Sequence, residues 1–291
     1  PRLAKSDLAN AHPLKINRHF FVHNNAMNIV FDIGGTNMRV ARADGSVLGE
    51  IKKMPTPQDP KEGVATFVAI ARKLAGNEKI EAVGGGIRGT IVDGVFQRDK
   101  RLPKWEGARL ADMISIALGA PVRIGHDTAV IGLGEVDRGA GRGSKICVYV
   151  TVSSGVGGDK IESGRIDATT YNPEIGRALV DGIELEDLVS GAAVEKKFGI
   201  PPKELVSIDE RNKLADILAE GLYNTVVHWS PDTVVLGGSM IVGMNPIPLE
   251  RVRASLEKRL SSVYPTAPKM VMAELGDNGG LYGGMILASQ K

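Results

Sequence analysis

The stretch "FDIGGTNMRVARADG", residues 31–45, limits what the chain can fold into more than any other. Residues 28–33 are an apolar run of strand length, and "NMRVA" alternates apolar with polar positions. The glycines between them therefore turn one strand back on another. Asp44-Gly45 predicts a type I′ turn into a third strand, "SVLGEIK". Gly34-Gly35 would serve a simple hairpin, but Asp32 just before it and Thr36 just after are more than a turn requires. At Lys145 the layout returns: "KICVYVTVSSGVGGDKIESGRI" reads strand, small-residue corner, strand. The two segments share layout rather than identity, which predicts a duplicated lobe.

Helices fill the intervals. "KEGVATFVAIARKLAG" puts Val64, Phe67, Val68, Ala71 and Leu74 on one face, and a further helix is expected over about 107–119. The strand "PVRIG" leads into "HDTAVIGLGEV", a helix start. "ERNKLADILAEGLYNTVVHW" carries Leu214, Ile217, Leu218, Gly221, Leu222, Thr225, Val226 and Trp229 along one stripe. The strand "DTVVLGGSM" and a helix near 248–261 follow. Alternating strands and helices make the class α/β.

With 291 residues, 43% of them hydrophobic, the chain can bury the cores of two lobes. A net charge of +2, evenly spread, argues against a nucleic-acid surface. No apolar run approaches a bilayer span, so no membrane role is expected. The single cysteine, Cys147, lies in "ICVYVTV" and allows neither a disulfide framework nor a cysteine zinc site; a reducing cytoplasm is the natural compartment. Residues 1–26 lack periodicity and a signal peptide's apolar stretch, and are read as an extension outside the fold, with Met27 as a sensible start. The expected organisation is a small lobe over 27–125 and a large lobe over 126–291, the last helix packing back on the first lobe.

Four glycine-rich corners stand beside strands: Gly34-Gly35, Ser153 to Gly158, Gly237-Gly238, and Gly279-Gly280 with Gly283-Gly284. Glycine lets backbone approach a ligand, and its free N–H groups form anion-binding nests. A tight turn explains any one corner alone; the set, spread over both halves, points to polyphosphate. Asp127 lies where a strand passes into a helix, as an N-cap, as a general base facing the cleft, or as both. Glu174 in "NPEIGR" and Glu186 in "ELEDLVSG" are acceptors for sugar hydroxyls or plain capping residues.

These pieces, in this order, resemble the repressor–ORF–kinase (ROK) family of sugar kinases and its glucokinase relatives. "DIGGTNMRVA" resembles the family's first phosphate loop, "GHDTAVIGLGE" the segment of its catalytic aspartate, and "TVSSGVGG" its second phosphate loop. "NPEIGR" and "ELEDLVSG" are similar to the sugar-binding elements, and "DTVVLGGSM" and "LGDNGGLYGG" to the adenosine side. The resemblance covers roughly residues 27–288. It implies a two-lobed actin/hexokinase-type fold with ATP and sugar in the cleft.

It also implies roles. Asp127 becomes the general base. Gly34, Gly35, Thr36, Asn37, Ser153, Ser154, Gly155, Gly237 and Gly238 become the nucleotide site, and Asp32 orients Mg²⁺ through water. Glu174, Glu186, His126, Arg177, Arg101 and Gly86 become the sugar site. A homodimer is implied as well. The departures are informative: His126 stands where the family commonly has Asn, Arg101 replaces a sugar-contacting Asn while Trp105 is kept, and Arg177 replaces a His. Ser153-Ser154 stands for Gly-Thr. "VDGIEL" takes the place of the cysteine-rich zinc motif, so no structural zinc is expected. Because a polar pocket rejects mismatched hydroxyl patterns, glucose is a doubtful acceptor, and the added arginines favour an acidic or phosphorylated sugar. Two other readings remain: a sugar sensor without catalysis, and a phosphotransferase or hydrolase on a non-sugar acceptor.

Overall fold

The computed structural model describes residues 27–290, so the leader expected to lie outside the fold falls outside the described residues. The first three strands, β1 (Met27–Ile33), β2 (Asn37–Asp44) and β3 (Val47–Pro55), form an antiparallel meander. The β2–β3 turn corrects the type I′ expectation. Its centre is Gly45-Ser46, and only Gly45 has a positive φ, 58°, so glycine takes the first central position alone. α1 (Pro60–Ala75) starts at Asp59, whose carboxylate accepts from the Lys61 and Glu62 amides, with Pro60 in the first turn. Its face of Val64, Phe67, Val68 and Ala71 is buried, and Phe67 meets Phe31 edge-on at 5.4 Å.

β4 (Ala82–Ile87) then pairs in parallel with β1. A ribbon of β5 (Ile91–Val92) and β6 (Val95–Phe96) folds over Asp93-Gly94, both with positive φ as a type I′ turn requires. The following segment is less polar than its composition suggests. Leu102 and Trp105 are fully buried, and the Trp105 indole donates to the Pro57 carbonyl at 3.1 Å. α2 (Leu110–Leu118) leads to β7 (Val122–His126), which pairs in parallel with β4 and completes the order β3-β2-β1-β4-β7. α3 (Asp127–Arg138) follows without a loop.

The second sheet repeats the plan. β8 (Ile146–Val152), β9 (Val156–Glu162) and β10 (Arg165–Ile166) form the meander. A ribbon of β11 (Leu179–Val180) and β12 (Ile183–Glu184) occupies "VDGIEL". α4 (Leu185–Val189), α5 (Gly191–Phe198) and α6 (Ile208–Trp229) lead to β13 (Thr233–Gly237). Then come α7 (Ser239–Val242), α8 (Leu249–Leu260) and β14 (Lys269–Met272), giving the order β10-β9-β8-β13-β14. Leu214, Leu218, Leu222 and Val226 of α6 pack with Val252 and Leu256 of α8 and Val150 and Val234 of the sheet. Ile217 and Trp229, expected on the α6 stripe, stay partly exposed.

The last helix, α9 (Gly279–Ser289), overturns one expectation: Gly279, Gly280, Gly283 and Gly284 form no corner but lie inside it. Gly283 and Gly284 remove side chains where two backbones meet, while Gly279 makes room for Ile131 and Gly280 for Asp32. A Cβ at Gly283 would overlap the Val130 carbonyl of α3, and one at Gly134 would lie 2.5 Å from the Gly279 carbonyl. Gly84 and Gly284 meet in the same way, bringing α9 onto β4. Helix glycine costs about 1 kcal/mol against alanine, and close packing offsets it. α9 thus packs on α3 of the second half and on β1 and β4 of the first.

Candidate active site

Parallel strands deliver their C-terminal residues side by side. Ile33 of β1, Ile87 of β4 and His126 of β7 are in register, so the residues that follow them, Gly34, Arg88 and Asp127, leave the sheet at one edge. One step earlier, Asp32 pairs with Gly86 and Gly86 with Gly125. Gly86 is glycine because α3 begins on top of it: a Cβ there would sit 3.0 Å from the Asp127 Cα. It lets Asp127 come close to Asp32.

Asp32 is the most perturbed carboxylate of the site. Its pKa is pushed up to about 6, by burial first and by the Asp127 charge second, with Arg39 acting the other way. Arg39, its cross-strand partner, donates to Asp32 Oδ2 at 3.0 Å and to Asp277 at 2.7 Å. Above the carboxylate the helix carries Gly280, where a Cβ would lie 3.1 Å from the Asp32 Cγ. That glycine keeps room beside Asp32.

Asp127 is not the N-cap that the sequence suggested. His126 takes that position, and Asp127 opens the helix with its Oδ1 accepting from the Thr128 amide at 2.7 Å. His126 Nε2 lies 3.3 Å from the same oxygen, leaving Oδ2 for chemistry. On its other side the imidazole Nδ1 meets Thr128 Oγ1 at 2.7 Å and Asp159 Oδ2 at 3.7 Å. Burial alone would lower the His126 pKa, but Asp159, Asp127 and Glu174 outweigh it and raise the net value. The imidazole is therefore held toward its charged form between two aspartates.

The first glycine corner is tightly bound. The Gly34 amide donates to the Asn37 carbonyl at 2.9 Å, and Thr56 Oγ1 donates to the Gly34 carbonyl at 2.7 Å. The Thr36 carbonyl accepts from the Thr56 amide at 2.9 Å. A Cβ at Gly35 would lie 2.7 Å from the Arg101 Cβ and 3.0 Å from the Arg88 Cδ, so two arginine stems lean on it. The second corner, Ser153 to Gly155, is held by Glu186, whose Oε2 accepts from the Val156 amide at 2.8 Å and leaves no space for a Cβ at Gly155. Ser153 Oγ lies 3.3 Å from Ser239 Oγ at the start of α7. Gly238, with φ of 87°, packs directly on the Val152 carbonyl.

Residues 28–291 match the ROK family. The chain belongs to the ROK family. It is 28% identical, over 90% of its length, to the bifunctional enzyme NanE/NanK of Brucella melitensis biotype 1, and spans 54% of that protein. The ROK hexokinase of Thermus thermophilus superposes with a TM-score of 0.78 at 25% identity, covering 90% of this chain and 97% of the other. The fold is shared as well with a ROK glucokinase from Streptomyces griseus, solved with glucose and AMPPNP: TM-score 0.73, 22% identity, 91% and 100% covered. The hexokinase-type α/β fold that the resemblance implied is thereby borne out.

Within this ROK protein Asp32, Gly86, His126 and Asp127 come together, as do Gly34, Gly35, Thr36 and Asn37 in one turn. Ser153, Ser154 and Gly155 adjoin Glu186 and, through Ser239, the Gly237-Gly238 turn. Arg177 differs from its reading as an added free charge. It is ion-paired with Glu184 of β12, with Glu186 and Glu174 nearby. Asp159, 2% exposed, and Arg88 were missed. Each is one charged residue at the end or middle of a strand, visible as part of a site only once strand register is known.

Proposed function

We propose that this chain is an ATP-dependent sugar kinase, in which Asp127 takes the proton from the attacking hydroxyl. One observation carries the reading. Asp127 leaves a sheet edge beside a glycine corner and a buried Asp32, with one carboxylate oxygen engaged locally and the other accepting no hydrogen bond among the described residues. The ROK hexokinase at 25% identity supports the reaction class, and the AMPPNP bound to the Streptomyces griseus glucokinase supports ATP as the donor.

The acceptor O–H gives its proton to Asp127 Oδ2 as its oxygen bonds the γ-phosphorus. The bond from that phosphorus to the β,γ-bridging oxygen breaks, and ADP leaves with the electron pair. His126, steadied by Asp159, fixes the orientation of Asp127. The backbone amides of Gly35 to Asn37 and of Ser154 and Gly155 would approach the phosphate oxygens, those of Gly34 and Ser153 being spent within their own corners. Glu174 and Glu186 accept from sugar hydroxyls on the acceptor side. Closure of the two halves would exclude water as a rival acceptor.

Among the described residues no group of three or more His, Cys, Asp or Glu side chains converges as a metal cage. That suits Mg²⁺, which keeps its waters and binds mainly through nucleotide phosphates. Asp32 would hold it through water, and the ion would neutralise charge on the departing phosphates. Asp127→Asn tests the reading. ADP formation with a panel of neutral and acidic sugars should fall by about 10³-fold while AMPPNP affinity is kept. Turnover near the parent rate removes Asp127 as base. Sugar binding by the parent without ADP formation favours the sensor instead.

A further inference from the structure

We propose that the acceptor carries an anionic group of its own, carboxylate or phosphate, and that Arg101 binds it above the first glycine corner. The inference rests on the kinase reading for the acceptor's reaction. For its charge it rests on what surrounds Gly35.

Arg88 and Arg101 converge there, their Cδ atoms 3.0 and 2.9 Å from the place a Cβ would take. Only Asp99 serves them both. Its Oδ2 accepts from Arg88 Nε at 3.2 Å, and its Oδ1 accepts from the Arg101 and Leu102 amides at 2.8 and 3.0 Å. Asp99 therefore shapes the loop and answers one of two positive charges. Among the described residues the Arg101 guanidinium has no ion pair. The stem below it is nonetheless held in place, because Leu102 and Trp105 anchor the segment in the core. With Arg88 answered by Asp99, the Arg101 guanidinium is the charge left over beside the corner, and it favours an anion there. Guanidinium forks match carboxylate and phosphate oxygens in particular.

The position assigns this anion to the acceptor rather than to the nucleotide. Arg88 follows β4, which lies between β1 with its glycine corner and β7 with Asp127, so the cationic pair stands on the Asp127 side. The next residue in the loop is tied the same way: the Gly89 carbonyl accepts from Asn172 Nδ2 at 3.4 Å, in the segment that leads to Glu174. Arg177 offers no rival anion site, since Glu184 already pairs with it.

The test uses glucose, glucuronate, gluconate and glucose 6-phosphate with the full chain, and compares the parent with Arg101→Gln and Arg101→Lys. At least one acidic probe should bind, by calorimetry, about tenfold or more tightly than glucose. Arg101→Gln should raise its Kd and KM about 30-fold, Arg101→Lys less, with AMPPNP affinity unchanged within about twofold. Added salt should weaken the acid's binding to the parent more than to Arg101→Gln. Preference for glucose over every acid overturns the proposal. So does an Arg101→Gln variant that loses AMPPNP as strongly as the acid, which would move the arginine to the nucleotide. Arg101-dependent acid binding without ADP formation keeps the anion site and removes the kinase reading. ADP formation on glucose with no acid binding does the reverse.

Discussion

The two sheets run the same course and end differently. In each, a meander is extended on one side by two parallel strands. The first strand pairs so that its penultimate residue faces a glycine: Asp32 with Gly86, Thr151 with Gly237. A small-residue corner follows in both. The first corner lies among charges: Asp32, Asp127 and Arg39, with Arg88 and Arg101. The second lies among hydroxyls and one carboxylate, Glu186, that is spent on its backbone. A repeated scaffold therefore supplies two cradles, and the side chain one residue from the strand end decides which carries charge for chemistry. Thr151, in the place of Asp32, brings no charge of its own to the second corner.

The sharpest way to break the comparison is to separate the halves. Gly283→Val puts a branched side chain onto the Val130 carbonyl and should cost on the order of 4 kcal/mol in thermal or denaturant unfolding. A loss below about 1 kcal/mol would mean that α3 and α9 do not join the sheets through that contact. Next comes Asp32→Asn. The folded-state pKa of about 6 lies above the free value of 3.8, so the folded chain holds the extra proton across that window and loses stability as pH rises through it. The variant should gain as much as about 3 kcal/mol at pH 7.5 and nothing below pH 4, read from midpoints against pH. A gain that persists at low pH would assign the effect to something other than the charge.

A smaller effect belongs to the second corner. Glu186→Gln exchanges a charged acceptor on the Val156 amide for a neutral one and should cost about 1–2 kcal/mol at neutral pH, read from denaturant midpoints, and an unchanged midpoint would free the corner from Glu186. The smallest is spectroscopic. Asp159→Asn should lower the His126 pKa, followed by the imidazole proton resonances. An unchanged titration would detach Asp159 from the site.

Much of this was legible from residues alone, for physical reasons. Meander strands announce themselves by alternation and turn chemistry, which placed Asp32, Gly34 and Gly35. The α6 stripe follows the helical period closely enough that Leu214, Leu218, Leu222 and Val226 are all buried. What failed was glycine read only as punctuation. In α9 it is a packing residue, and nothing local distinguishes the two uses; the difference lies in Val130 and Gly84, far away in sequence. Asp159 and Arg88 were invisible for the same reason. Arg177 was half legible: its charge was read, but Glu184, which answers it, became a neighbour only through a ribbon.

The closing helix has a consequence for how the chain is made. Val30, Ala41 and Ala43 of the first sheet are covered by Leu281 and Met285 of α9. A ribosome finishes that sheet's strands long before it supplies their cover. Until residues 279–289 emerge, the first sheet of the nascent protein keeps a greasy face open to solvent, available to chaperones and to stray neighbours alike.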